Sequence, residues 1–394
     1  MALKNYIVVK VSLLVMDIKE DLNIKSYREK FRKIYRSKIR AVFHKFERER
    51  QKRLAKCIIT TSVFAVITAS VFIFGFLNDN LSKALFQIIF ILGIITLIIP
   101  AIFNSNFISD LKSKCMPEFM KAFDNLHWSQ GFNIINEEEL NYCDLFSKFN
   151  RYSTDDSFIG EHNGVKFLIS ESDLLYVTGH GKNKSVRTVF DGVIIRFDSN
   201  KKIISKTIIA TKGDVNIKGS PITKKSIIIM IILFLPMLFF LIMALMEFSS
   251  QNNIFWGILI FAMLLPLLFI GIFLYEKDKT KNEQKLNKVN LEDVEFDKKY
   301  IVFSEDQIEA RYLITPAFME RFKHIYTSFG TENAKCSFYD DKFMLAITTK
   351  KNLFEIGDLF HSLMTKKYVN AFLEELISII MMIDYFKLNE KTML

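Results

Sequence analysis

The residue types in this chain best suited to chemistry are its carboxylates, and those worth weighing are Asp155-Asp156, Glu171 and Asp340-Asp341. Clustered acids can hold a divalent cation through hard oxygen ligands, although adjacent acids in turns are ordinarily just solvated. A membrane-tethered, metal-dependent enzyme using Asp156, Glu171 or Asp341 is therefore one reading. The histidines, at positions 44, 127, 162, 180, 324 and 361, show neither H-x-x-x-H nor H-E-x-x-H spacing. Two imidazoles on one helix face are thus not on offer. "TGHGKNKS" (178–185) carries a Gly-Lys and a nearby Ser, but Tyr176 stands five residues before Gly181 and Asn183 follows the lysine. A phosphate loop needs Gly at the first position and Ser or Thr at the second, so a hairpin turn is the better reading. No G-x-S-x-G elbow occurs, and Cys336 sits in a strand pattern with nothing to activate it. The sequence assigns no catalytic, cofactor-binding or metal-binding residue and implies no cofactor.

The elements that must position these acids are segregated by polarity. Half of the 394 residues are apolar and 24% are charged, yet four runs carry no Asp, Glu, Lys or Arg: Ile58–Leu77, Ala84–Phe103, Ile227–Met246 and Ile254–Tyr275. Each has about the 20 residues that a helix needs to cross a hydrocarbon core of roughly 30 Å. The connectors Asn78–Lys83 and Glu247–Asn253 are too short to hold a domain, so the runs form two hairpins opening to one side. Lys52, Arg53, Lys56, Lys112, Lys114, Lys224, Lys225, Lys277, Lys279, Lys281 and Lys285 flank the open ends, whereas the connectors hold a single Lys. By the positive-inside rule both termini and the segment between the hairpins face the cytoplasm of a cell inner membrane. The scattered Cys57, Cys115, Cys143 and Cys336 form no C-x-x-C pair and fit a reducing compartment.

The spans themselves are quiet. Transport tends to leave ionisable groups or polar stripes at membrane depth; here there are Thr60, Thr61, Ser62, Thr68, Ser70, Gln87 and Thr96, with Pro236 and Pro266 as candidate kinks. A transporter or channel subunit is the weakest of the functional readings. The apolar stretch Tyr6–Met16 is short, broken by Lys10 and followed by Asp17 and Glu20 in place of a small-residue cleavage site, so a cleavable signal peptide is not expected; Met16 makes a start as natural as Met1.

The expected organisation is a basic amphipathic helix (1–56), a transmembrane hairpin (57–103), the first half of a cytoplasmic domain (104–226), a second hairpin (227–275) and the second half (276–394). Ser26 and Glu29 have capping-box spacing, and Tyr27, Phe31, Ile34, Tyr35, Ile39, Val42, Phe43 and Phe46 recur at helical steps. Between Lys25 and Lys56 there are 14 Lys and Arg against three Glu. That segment can lie on the anionic inner leaflet, pair with another helix, or pack its apolar stripe on its own domain. Nucleic acid is not the expected partner, because membrane topology already demands the charge. Met116-Pro117-Glu118 reads as a fresh helix start, and Glu137–Glu139 as another. His162-Asn163-Gly164 marks a β-hairpin, and further strands are expected in residues 174–198, 201–211, 300–303 and 336–348, with a turn at Tyr339–Lys342. Val369–Phe386 reads as a packed helix rather than a fifth span. In residues 304–322, Ser304 with Gln307 reads as a capping box, and Thr315-Pro316 as a cap followed by Pro at the first helical position. Arg311, four residues beyond Gln307 and three beyond Ile308 on the helical period, is expected to turn inward with them and to pair with Asp156 or Glu171, stitching the two halves together.

The stretches "DDSFIGEHNG" (155–164), "VFDG" (189–192) and "EARYLITPAFMER" (309–321) resemble a bacterial membrane-protein family defined by a domain of unknown function, number three-one-three-seven, over roughly Tyr27 to Phe360. The resemblance implies a membrane protein with a cytoplasmic domain, and no established activity or cofactor to carry over. The fold class expected is a multi-pass α-helical membrane protein, with two transmembrane hairpins and a split cytoplasmic α+β domain containing antiparallel β-strands. The function expected is a non-enzymatic scaffold, adaptor or regulator that contacts the bilayer and a partner protein or a second copy of itself.

Overall fold

The computed structural model describes residues 22–77, 83–123, 125–179, 181–214, 286–328, 333–349 and 351–390. Residues 1–15 and the third and fourth apolar runs lie outside the described residues. Helix α1 (Leu22–Ile34) passes through a π-helical turn (Tyr35–Ile39) into α2 (Arg40–Leu77), and α3 (Lys83–Met120) returns antiparallel beside it. Side chains along the apolar parts of α2 and α3 are exposed, Leu97 at 79%. These are two candidate membrane-spanning helices by length and composition.

Beyond the hairpin lies one nine-stranded antiparallel sheet in the order β1-β2-β3-β4-β9-β8-β5-β7-β6. Its strands are β1 (His127–Gln130), β2 (Arg151–His162), β3 (Val165–Thr178), β4 (Ser185–Asp198), β5 (Thr207–Thr211), β6 (Asn287–Val289), β7 (Tyr300–Ser304), β8 (Ala334–Tyr339) and β9 (Lys342–Thr348). Strands on either side of residues 215–285 interleave, since β4 pairs with β9 and β5 sits between β7 and β8. Only Thr207–Thr211 of the expected 201–211 run is strand, while β1 and β6 carry no alternation long enough to announce them.

Local chemistry explains the hairpins. Asn163 (φ 50°) and Gly164 (φ 78°) occupy the two left-handed positions that a type I′ turn needs, and Asp340 (φ 45°) and Asp341 (φ 58°) do the same between β8 and β9. The glycine of "VFDG" has its own reason: a Cβ on Gly192 would stand 2.2 Å from Ile347 O, so β9 could not approach. Short helices α4 (Glu137–Tyr142), α5 (Val294–Lys299), α6 (Gln307–Leu313) and α7 (Pro316–Ser328) decorate the sheet, and α8 (Lys367–Ile380) with α9 (Met382–Tyr385) closes the fold. Alternation along β3 sends Val165, Phe167 and Ile169 into the larger core with α1, α3 and α8, and Leu168, Leu174 and Tyr176 on the opposite face to a smaller core with Leu140 and Phe146.

The stripe on α1 and α2 is covered by the domain itself. Phe31 stacks on Phe119 at 4.7 Å between ring centroids, and Phe119 meets Phe372 at 5.8 Å. Burying a Phe contributes about 1.5–3 kcal/mol, which accounts for two departures from local expectation. Ser26 lies inside α1 instead of capping it, and Met116-Pro117-Glu118 continues α3 instead of starting a helix. An internal Pro costs about 3 kcal/mol, and the buried face of Phe107, Leu111, Cys115, Met116 and Phe119 outweighs it.

Two further expectations are corrected. Arg311 is exposed, because α6 turns Ala310 and Leu313 inward and leaves Ile308, its supposed companion, 79% exposed. Ser304 stays in β7, its hydroxyl 2.8 Å from Thr207 Oγ1, and the cap is Asp306, which accepts from Ile308 N at 2.7 Å and Glu309 N at 3.3 Å. Thr315 does cap α7, accepting from Phe318 N at 3.2 Å. Asp306→Ala should accordingly lower unfolding free energy by about 0.5–2 kcal/mol, and Gln307→Ala by much less. Denaturant titration of both variants checks this, and a larger loss at Gln307 would restore the capping box.

Candidate functional site

The densest group of ionisable side chains surrounds Lys112, on the part of α3 that leaves the apolar run. Lys112 is fully buried; its Nζ donates to Asp156 Oδ2 at 2.5 Å and to Glu355 Oε1 at 2.8 Å, with Asp155 Oδ2 at 3.8 Å. Trp128 Nε1 donates to Asp156 Oδ1 at 2.7 Å, and Asn352 Nδ2 to Glu355 Oε1 at 2.7 Å. Two more acids approach the same loop: Glu171 accepts from Leu353 N at 2.8 Å and Glu375 from Phe354 N at 3.0 Å.

Each member arrives by a different local device. Asp155 and Asp156 fall where the β2–β3 register shifts between Thr154 and Ser157. They belong to a strand irregularity, not to a turn, and such a bulge re-aims a side chain out of the normal alternation. Lys112 falls among Leu111, Cys115 and Met116 on the buried face of α3. Glu355 comes from the loop that follows β9, and Glu375 from the middle of α8.

The electrostatics follow from one buried ammonium facing several acids. Burial alone would lower the Lys112 value, but Asp156, Glu355 and Asp155 outweigh it and hold the amine protonated. Burial raises the carboxyls of Asp156 and Glu355 despite that ammonium. Burial also pushes Glu171 up to about 8, against the Leu353 N–H, and Glu375 up to about 7, against the Phe354 N–H. Among the described residues nothing hydrogen-bonds Glu171 Oε2. The cluster thus holds exchangeable protons near neutrality beside a fixed positive charge.

Oxygens of Asp155, Asp156 and Glu355 lie within 4.8 Å of one another, close enough to share a cation. The Lys112 ammonium is already hydrogen-bonded to two of them, which makes it the cation of this group. Asp156 and Glu171 do come together here, whereas Asp341 does not. Asp341 sits at the start of β9, where its side chain accepts from Ile203 N at 2.7 Å, and the whole length of the strand separates it from the Glu355 loop. Sequence reasoning missed Lys112, Trp128, Glu355 and Glu375. The signal for Lys112 was available: it is four residues from Ile108 and from Met116, on the helical period of the buried stripe.

A second polar joint ties α1 to the sheet. His162, at the tip of β2, lies 2.8 Å from Asp384 Oδ2 through Nε2 and 3.2 Å from Tyr27 Oη through Nδ1, and Asn163 donates to Asp384 Oδ1 at 2.8 Å. Both ring nitrogens are engaged, so the imidazole acts as a clamp between three elements.

Two outcomes are expected. Lys112→Met should cost about 3–5 kcal/mol by leaving buried carboxylates unpaired, and adding Asp156→Asn and Glu355→Gln should recover most of it. A loss under about 1 kcal/mol, the range of exposed pairs, would remove the cluster from the centre of the fold. Glu171 and Glu375 bind protons more tightly folded than unfolded, where their ordinary value is 4.5. Their stabilising effect is complete below about pH 4.5 and drains away as pH rises through 7 and 8. Melting temperature should therefore fall between pH 5 and 8, with a shallower fall in Glu171→Gln; an unchanged slope in that variant would contradict the assignment.

No curated protein and no solved structure matches the chain. The model of the family described as "Protein of unknown function (DUF3137)" matches residues 188–388. The matched region holds the "VFDG" and "EARYLITPAFMER" strings, Glu355 and Glu375; it starts after Lys112, Asp156, Glu171 and "DDSFIGEHNG". Spanning just over half of the 394 residues, the match makes the chain a member of the DUF3137 family of proteins of unknown function.

Proposed function

We propose that this is a multi-pass inner-membrane protein of a bacterium, with both termini cytoplasmic, that presents its α+β domain as a non-enzymatic scaffold, adaptor or regulator. The observation that carries the reading is the continuity of α2 and α3. Each runs without a break from an exposed apolar half into a half buried in the domain core. A helix that spans a bilayer and then enters a packed core fixes the domain's orientation; a flexible tether does not. Orientation is what a scaffold needs, and it is held here by Lys112 on α3 and by Arg50 on α2. Arg50 donates to Leu359 O at 2.9 Å and pairs with Glu47, which accepts from Leu363 N at 2.9 Å.

The metal-dependent enzyme is the second reading, and the Asp155–Asp156–Glu355 group is what favours it. It requires Lys112 to leave and a cation to enter, at the full cost of unpairing a buried charge. The scaffold reading keeps the cluster as it stands.

Cross-linking in native membranes, followed by capture of the full chain in mild detergent, tests the proposal. A partner in fixed ratio, or a defined multimer of the chain, is the expected result. A monomer that captures nothing and carries a stoichiometric divalent metal would replace the scaffold with the enzyme.

A further inference from the structure

The pairing of α2 and α3 supplies a scale along the membrane normal. Arg53 Nη1 lies 2.7 Å from Asp110 Oδ2, and the Phe46 and Phe107 rings are 6.3 Å apart. Deeper in the apolar part, Thr68 and Gly93 line one groove between the two helices. This antiparallel register sets Asn104 level with Lys56, the last charge before the apolar run on α2. The hydrocarbon boundary therefore falls at Phe103–Asn104, with roughly 5–7 Å of headgroup region beyond it.

A loop of the distant C-terminal part reaches that level. Leu359 N donates to Asn104 Oδ1 at 2.9 Å, and Leu359 O accepts from Arg50 Nη1 at 2.9 Å. The next residue, Phe360, is 49% exposed. Its position is fixed, because Asp358 Oδ1 accepts from Phe360 N at 2.8 Å and from His361 N at 2.7 Å. Lys366, further along, is turned away, its Nζ over the Tyr35 ring at 5.8 Å from the centroid, but Lys52 and Lys56 of α2 are exposed at this level. Aromatic and basic side chains together at this depth are the composition of an interfacial anchor, the ring among headgroups and the amines towards anionic lipid.

We propose that the turn from Asp358 to His361 is a membrane-interface contact, with Phe360 seated in the headgroup layer of the leaflet that α3 leaves. It rests on the reading of α2 and α3 as membrane spans. The loop is a third point of attachment, and it holds the sheet against the bilayer at the Glu355 end.

Nitroxide labels on the full chain, reconstituted in phosphatidylcholine vesicles containing phosphatidylglycerol, test this directly. Cys57, Cys115, Cys143 and Cys336 are all buried, so Phe360→Cys labels selectively. Leu97→Cys, in the apolar run, and Ile308→Cys, at the far end of the strands, serve as references. Label 360 should relax several-fold more with oxygen than with a water-soluble nickel chelate, as label 97 should, while label 308 shows the reverse. If 97 reports lipid and 360 reports water, the loop contact is wrong and the anchoring stands. If 97 also reports water, the anchoring reading itself is wrong. A label at 360 shielded from both reagents would mean that protein covers the loop, and that too overturns the proposal.

Discussion

A lysine ammonium buried with carboxylates is the interaction on which the rest of this fold depends. Moving such an ion out of water costs several kcal/mol even after relaxation, so Lys112 is tolerable only with its partners in place. Those partners come from three separate devices: the irregularity in β2 that aims Asp156, the indole of Trp128 that occupies its second oxygen, and the loop after β9 that delivers Glu355. One of them lies before residues 215–285 and another after. Neither half of the chain can satisfy Lys112 alone, and the sheet that interleaves their strands is the geometric expression of that requirement.

Because Lys112 belongs to the same helix as the second apolar run, its pairing reaches beyond the domain. Glu47 and Arg50 repeat the arrangement on α2, accepting from and donating to the backbone of the segment that follows Glu355. Both helices therefore grip one loop, 353–363, with Gly357 fitted so closely that a Cβ would meet Leu363 at 2.3 Å. A change of tilt between the helices would therefore bear on that loop from both sides. Glu171 and Glu375 meet the same loop, accepting from Leu353 N and Phe354 N.

What was legible in the sequence was set by local rules, and what was not was set by contacts distant along the chain. Asn163-Gly164 and Asp340-Asp341 announce their hairpins because the φ > 0 requirement falls on two adjacent residues. The Thr315 cap is readable because its hydrogen bond reaches only three residues along the chain, to Phe318 N. Ser304 and Arg311 failed differently. Ser304 fits a capping box on spacing, but its hydroxyl was already committed to Thr207, ninety-seven residues away. Arg311 was assigned inward from a helical phase shared with Ile308, and the phase was wrong because Ala310 and Leu313 have the better claim to the core. The candidate site was half visible. Asp156 and Glu171 stood out as acids needing a cation, and Lys112 was counted only towards membrane topology although its helical phase placed it inside.

Distance also divides the long basic segment between Lys25 and Lys56, once Asn104 is taken as the membrane edge. Phe31 stacks on Phe119, fifteen residues beyond Asn104 on α3, which is about 22 Å along a helix. At physiological ionic strength charges are screened over about 8 Å, so Lys30, Arg32, Lys33 and Arg36 stand too deep to feel a lipid headgroup. Lys52, Arg53 and Lys56 are within reach, whereas Lys366 belongs with the deep group, its Nζ over the ring of Tyr35 beside Arg36. The apolar stripe of α1 is spent on Phe119, Phe123 and Phe372, and no apolar face is left with which it could lie on a bilayer. A surface-lying amphipathic helix needs both an apolar face free to insert and basic groups within a screening length of the lipid. α1 has neither, so under the proposed membrane edge the contact would fall to the last turns of α2 before the apolar run and to the turn carrying Phe360.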